Sequence, residues 1–171
     1  MSSYPATTRA EAAPVVGGPA PIICRSARSA DIPALIELGA RFHAESRYKA
    51  LPYDRGALRA RLEDAVVRPM DHFVAVADEA GALVGVLAGL LTAFPFAPVP
   101  IAIDACFYVR PDRRGVPAAR HLLAMFESWA RERGAACVLL GVTSGVADER
   151  AIRLYQRLGY QLTGAILGKG V

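Results

Sequence analysis

The sequence predicts an α/β (α+β) domain with a mixed, mostly antiparallel central sheet flanked by helices, in the order β-α-α-β-β-β-α-β-α-β. Three observations carry that reading. Phe73–Ala77 and Leu83–Leu90 are apolar runs joined by the turn signal Asp78-Glu79-Ala80-Gly81, the pattern of a hairpin. Leu122, Leu123, Phe126 and Trp129 fall on one face of a helix. Cys137–Val142 is a nearly continuous apolar run, as expected of a strand covered on both faces.

The remaining elements follow from local signals. Ile22–Ser26 has a short strand's composition, and Ser29 is placed to cap a helix that buries Ile32, Leu35, Ile36, Gly39 and Phe42. Pro33 lies in its first turn, where a missing amide costs little. A loop around Ser46–Pro52 leads to a second helix near Asp54–Val67. After the hairpin, the Pro-rich stretch AFPFAPVP reads as a loop, and Ile101–Val109 as a third strand. Strict alternation puts Asp104, Cys106 and Tyr108 on one face of that strand. Gly134 ends the helix after it. A last helix starts near Asp148, buries Ala151, Ile152, Tyr155 and Leu158, and stops at Gly159, with Tyr160 as the apolar contact beyond. Tyr160–Leu167 is expected to close the sheet as a final strand.

The chain has 171 residues, 53% hydrophobic and 21% charged, enough for one domain with a full core. We assign that domain to residues 22–171. Residues 1–21, rich in Ala, Pro, Gly, Ser and Thr and lacking a secretory apolar core, read as a disordered tail. A net charge of +4 suits an anionic ligand but is too small to argue for nucleic acid by itself. No run of about 18 apolar residues suggests a membrane span. Cys24, Cys106 and Cys137 are odd in number, far apart and in apolar contexts, which predicts buried free thiols, no metal site and a reducing, cytoplasmic setting.

The stretch with the most chemistry is Val109–Leu123, VRPDRRGVPAARHLL. It passes from a strand through a basic, Gly-containing turn into a helix, an arrangement that gathers backbone N–H groups and a helix dipole around an anion. Pro117 has no amide to contribute, but it suits the first helical position, where its fixed φ is already helical. Gly115, Val116, Ala118 and Ala119 keep their N–H groups, and Arg113, Arg114 and Arg120 can add charge. The plainer reading is a proline-started helix with solvated arginines.

A second motif decides between them. Asp148–Tyr160, DERAIRLYQRLGY, resembles the Asn/Asp-x-x-Ala-x-x-x-Tyr-x-x-x-Gly-Phe/Tyr helix of the GNAT superfamily of acyl-CoA-dependent N-acetyltransferases. The turn resembles that superfamily's pyrophosphate loop, Arg/Gln-x-x-Gly-x-Gly/Ala: Arg114 and Ala119 match, while Pro117 stands where the first glycine would. The likeness spans roughly residues 22–171 and is nearest to a bacterial and phage-like branch. It implies a GNAT-like fold, acetyl-CoA as co-substrate, and transfer of an acetyl group to a primary amine by direct attack in a ternary complex. By the same resemblance Phe107, Tyr108 and Val109 line the pantetheine, Arg114, Gly115, Val116, Pro117, Ala118 and Ala119 hold the pyrophosphate, and Asp148 also faces the cofactor. The family's tyrosine corresponds to Tyr155, which would protonate the leaving thiolate, since a phenol with a pKa of about 10 keeps its proton at neutral pH.

Asp104 is the leading candidate for the base, as the one acid within the apolar run Ile101–Val109. A salt bridge to an arginine is the alternative use for it. Glu45, His43 or a water chain stand in reserve. The acceptor is unspecified: Arg47, Tyr48, Lys49 and Tyr53 sit in the loop between the first two helices and suit an acidic or aromatic substrate, or are ordinary surface residues. Two rival readings remain, an acyl-CoA-binding protein without turnover and, for the clustered arginines, a nucleic-acid-binding domain. Members of the family usually end with two strands after the tyrosine helix. Only twelve residues, Tyr160–Val171, follow here, room for one strand at about 3.3 Å per residue. An open sheet edge results, and a homodimer that covers it is expected.

Overall fold

The computed structural model describes residues 20–115 and 117–169. Five strands form one sheet in chain order: β1 (Ile22–Ser26), β2 (His72–Glu79), β3 (Ala82–Phe94), β4 (Ala97–Val109) and β5 (Val138–Leu139). The first four pair antiparallel, and β5 runs parallel to β4. Helices α1 (Ile32–Glu45) and α2 (Arg55–Val67) lie on one face of the sheet, α3 (Ala118–Glu132) and α4 (Asp148–Arg157) on the other. The expected fold class is the observed one. Most of the expected tail, residues 1–19, lies outside the described residues.

Each face has its own core. Leu122, Leu123, Phe126 and Trp129 of α3 pack on Phe73, Val84 and Leu87, as their helical spacing requires. Ile32, Leu35, Ile36 and Leu38 of α1, with Leu62 of α2, pack on Val76, Val86 and Tyr108. Burying aliphatic and aromatic side chains on both faces contributes about 1.5–3 kcal/mol for each fully covered one.

Several local expectations are corrected. Ser29 is not a cap: residues Ser29–Asp31 form a 3-10 turn, and Asp31 takes the cap position of α1. Its carboxylate is held by Arg25 at 2.7 Å and by the Arg28 N–H at 2.7 Å. The AFPFAPVP stretch is no loop, because β3 runs on to Phe94 and β4 starts at Ala97. At the tight hairpin tip Phe94 and Phe96 stack, with ring centres 5.6 Å apart. The Cys137–Val142 run yields only the two residues of β5. The three cysteines are free but only half-buried.

Tyr160–Leu167 forms no strand. Residues 160–169 carry no regular structure, and Leu162, Ile166 and Leu167 are 79–94% exposed. The two-residue β5 gives them too short a neighbour, and Gly164 and Gly168 weaken strand formation further.

The alternation along β4 also fails, through a β-bulge. Cys106 stands opposite Ala88 and Asp104 opposite Gly89, so Ala105 is left without a partner. The parity of the strand changes there. Ala102 and Phe107 pack with α3 and α4, whereas Cys106 and Tyr108 pack with α1. Asp104 therefore does not share a face with Tyr108.

Candidate active site

The pairing of β4 with β5 covers only Ala102 with Val138 and Ile103 with Leu139. Beyond it the chain after β5 turns away, and a cleft of about 710 Å³ opens along the last residues of β4. Asp104, Phe107, Tyr108 and Val109 line it from β4, Arg114, Gly115 and Ala119 from the turn into α3, and Asp148, Arg150 and Tyr155 from α4. Sequence reasoning named most of these residues, and the fold brings them together.

At the apex, the Gly141 N–H donates to Asp104 Oδ1 at 2.6 Å. Burial pushes the Asp104 carboxyl above the usual carboxylate range, and the Gly141 hydrogen bond opposes the shift without cancelling it. No arginine pairs with Asp104 among the described residues, so the salt-bridge alternative is not realised. The Cys106 thiol is pushed up to about 12, by burial first and by the Asp104 charge second.

Tyr155 is 7% exposed and its ring stacks on Phe107 at 6.3 Å, nearly parallel. Tyr160 closes over it at 5.8 Å. The placement comes from the end of α4: Gly159 turns left-handed at φ +93°, and the Tyr160 N–H returns to the Tyr155 carbonyl at 3.0 Å, while Gly159 N–H reaches Gln156. This is the Schellman closure that the Leu158-Gly159-Tyr160 sequence announces. Burial raises the Tyr155 phenol above its ordinary value, and the Asp104 charge raises it further.

The turn is built differently from its motif. Pro117 occupies the cap position of α3 with helical φ and ψ, and its carbonyl accepts the His121 N–H at 3.0 Å. Ala118 is buried in the core and neither it nor Pro117 lines the cleft, while Val116 lies outside the described residues. Arg114 lies over the Tyr108 ring, donates to the Val109 carbonyl at 2.9 Å and pairs with Glu45 at 2.6 Å. The Tyr108 hydroxyl donates to the same carboxylate. Burial pulls the Glu45 carboxyl up, but the bonds from Tyr108 and Arg114 outweigh it and hold it below the usual range. Glu45 thus anchors α1 to the turn. No sequence signal links two positions 69 residues apart.

Asp148 begins α4, after Ala147 in a left-handed conformation at φ +52°. Its Oδ2 lies 3.5 Å from Arg47, and its Oδ1 is buried without a hydrogen-bond partner. The loop between α1 and α2 closes this side of the cleft: Arg47 N–H donates to the Ser144 carbonyl at 2.8 Å, and the Tyr48 hydroxyl to Thr143. Tyr53 instead donates to the Ile36 carbonyl at 2.6 Å and braces α1. His43 is bonded to the Leu51 carbonyl, which leaves it outside the cleft lining. Phe42, expected from its spacing only as a buried helix position, and Gly141 also line the cleft.

A sheet split between its fourth and fifth strands, with a basic turn and a buried tyrosine on either side of the split, defines the class. The sequence model of the Acetyltransferase (GNAT) family matches residues 37–160. The chain belongs to that family. Among solved structures it is similar to the aminoglycoside N-acetyltransferase AAC(6')-Iy in complex with CoA, at 14% identity over 92% of this chain and 98% of the other, with a TM-score of 0.72. It is also similar to glucosamine-6-phosphate N-acetyltransferase from Arabidopsis thaliana, at 14% identity over 88% and 98%, TM-score 0.70. A predicted acetyltransferase with acetyl-CoA from Clostridium acetobutylicum matches at 17% identity over 87% and 96%, TM-score 0.69. These likenesses concern the fold. The comparison with curated proteins gave no match.

Proposed function

We propose that the protein is an N-acetyltransferase that moves the acetyl group of acetyl-CoA to a primary amine by direct attack within the cleft. The observation that carries this reading is the placement of Asp104 and Tyr155 in one cleft beside the open edge of β4. The residues present fit the co-substrate: the cleft measures about 710 Å³, Gly115 and Ala119 line it with little side-chain bulk, and Asp148 Oδ1 is a buried acceptor in need of an N–H donor. Bound there, acetyl-CoA supplies an activated thioester.

The chain's own groups then divide the proton work. Asp104, anionic yet raised above the ordinary carboxylate range, takes a proton from the acceptor amine. Tyr155, held protonated by burial, offers its hydroxyl proton to the departing sulfur. Beyond Ile103, β4 has no pairing with β5, and N–H groups on that side would be fixed donors to stabilise the negative charge that develops on the thioester carbonyl. Phe107, packed on Tyr155, keeps the phenol oriented and water out.

Arg110, Arg113 and Arg114, three of the clustered basic residues, are paired with carboxylates, which counts against the nucleic-acid reading. The exposed aliphatic side chains of residues 162–167 and the short β5 edge support a homodimer. Thermal shift tests the core of the reading: CoA stabilises the folded protein, because a ligand bound only to the native state raises its melting point. A thiol-release assay across amines, amino acids and peptide N-termini then identifies the acceptor. No shift at millimolar CoA would end this function.

A further inference from the structure

Tyr48 is 40% exposed, and yet it is fixed at both ends. Its N–H donates to Ser46 Oγ at 3.1 Å, and its hydroxyl donates to the Thr143 carbonyl at 3.1 Å. Ser46 is itself buried, and its hydroxyl donates in turn to the His43 carbonyl at 2.9 Å. A buried hydroxyl satisfied on both sides thus ties the end of α1 to the 3-10 turn Arg47–Ala50 that carries the ring. Neither hydrophobic core includes Tyr48, so its ring is held for something other than packing. Phe42, on the last turns of α1, rests its ring on Tyr108 at 5.3 Å and, like Tyr48, lines the cleft. Rigid aromatic side chains on a cleft wall are where the apolar body of a small ligand is covered.

The charges of the cleft limit what that ligand carries. Among the described residues its acids are Asp104 and Asp148, against the arginines Arg114, Arg120, Arg150 and Arg157. Asp148 lies 3.5 Å from Arg47 through Oδ2, and its enclosed Oδ1 is the acceptor already given to the co-substrate. One carboxylate, Asp104, remains for an ammonium group. A second ammonium on the same molecule would meet no free carboxylate, and placing like charges together is costly. An aromatic face, by contrast, attracts a cation within about 6 Å without a charge of its own.

We propose that the acceptor is a primary monoamine on an aromatic body, whose ring lies against Tyr48 and Phe42 while its single ammonium meets Asp104. The proposal rests on the acetyl-transfer reading above and narrows its acceptor. On transfer the amine nitrogen bonds the acetyl carbon as the carbon–sulfur bond breaks. Of the two protons that leave the ammonium, one ends on the CoA thiol and one in solvent. Selection then has two parts: the aromatic wall favours a ring, and the lack of further free carboxylates rejects polyamines.

Steady-state thiol release by the full chain with acetyl-CoA tests this on four amines. 2-Phenylethylamine is set against hexylamine, a monoamine without a ring, and against 1,4-diaminobutane and an aminoglycoside, which carry two or more ammonium groups. The kcat/KM for 2-phenylethylamine exceeds that for either polyamine by about tenfold or more. Tyr48→Leu keeps apolar bulk but removes the ring. It raises KM for 2-phenylethylamine roughly three- to tenfold at nearly unchanged kcat, and leaves hexylamine as in wild type. Phe42→Leu repeats the pattern, and takes the place of Tyr48→Leu if the melting point shows that variant unfolded. Equal or better use of the diamine or the aminoglycoside overturns the proposal. So does an unchanged KM in both variants, or an equal loss of both monoamines, which would make the rings structural parts only. A protein that CoA stabilises but that acetylates none of the four amines overturns the proposal and leaves the acyl-CoA reading standing. Absence of any stabilisation by CoA overturns that reading itself, and the proposal with it.

Discussion

Asp104 Oδ1 accepts the Gly141 N–H at 2.6 Å where β4 and β5 separate, so a single carboxylate pins the apex of the split and faces the space the split creates. A buried carboxylate with one backbone donor and no cationic partner binds its proton more tightly than a free one. If it is the base, the rate falls as pH drops through that raised value, and the acid limb of the pH–rate profile lies above about pH 4, the ordinary Asp range. Asp104→Asn flattens this limb while leaving CoA binding intact. A limb that persists in Asp104→Asn removes the residue from the proton path and leaves a water chain in its place.

Tyr155→Phe keeps the ring that stacks on Phe107 and removes only the hydroxyl. A general acid contributes roughly 100- to 10,000-fold, so turnover falls at least about 100-fold with little change in CoA affinity. The phenol is raised above its ordinary value, so no alkaline limb from its ionisation is seen below about pH 10. Steady-state kinetics beside calorimetry decide it: equal turnover in wild type and Tyr155→Phe returns Tyr155 to packing.

These two residues were legible in the sequence for different reasons. Tyr155 belongs to a local pattern, in which the Asp148 start, the apolar face and the Gly159-Tyr160 stop all lie within thirteen residues and fix the helix by themselves. Asp104 was legible as an acid in an apolar strand, but its facing was not. The bulge at Ala105 has no local signature, because it is set by pairing with Gly89, whose missing side chain lets Phe126 approach to within 2.6 Å of the Cβ position. The Glu45–Arg114 pair and the Arg150–Gly115 approach are likewise contacts between distant segments. Periodicity cannot report them. The final strand failed for the converse reason: Tyr160–Leu167 has strand composition, but within one chain nothing long enough stands beside it.

The Glu45 cluster makes the junction of α1 and the turn sensitive to acid. Its carboxyl is depressed in the folded protein, so its contribution is fully present above the unfolded value of about 4.3 and is lost as pH falls through the lower folded one. Both partners are part-exposed, so the Glu45–Arg114 coupling is about 1 kcal/mol or less. A double-mutant cycle with Glu45→Gln and Arg114→Gln reads that coupling at pH 7 and finds it shrinking as pH falls below the ordinary Glu range. Reversing the charge in Arg114→Glu sets two carboxylates against each other beside Tyr108, lowers the melting point and abolishes the CoA-induced shift. A coupling that does not weaken with acid across the range in which the protein stays folded would show that the pair is not held by the Glu45 charge.

Assembly gives the last prediction. The sheet ends at the two-residue β5, and the segment after α4 leaves Leu162, Ile166 and Leu167 in solvent. A strand edge with unpaired N–H and C=O groups and a free apolar segment of strand composition are complementary, yet within one chain they do not meet. Across a twofold axis they can, each copy lending its segment to the other's edge at small cost, since only a short, unstructured stretch is reordered. We therefore expect a dimer mass by light scattering at micromolar concentration, and a monomer after deletion of residues 164–171. Amide exchange sharpens the test: the N–H groups of residues 161–169 are protected in the dimer and exchange freely on dilution to monomer. A wild-type protein of monomer mass whose mass and exchange are unaffected by dilution or deletion defeats the dimer and leaves the segment unpaired.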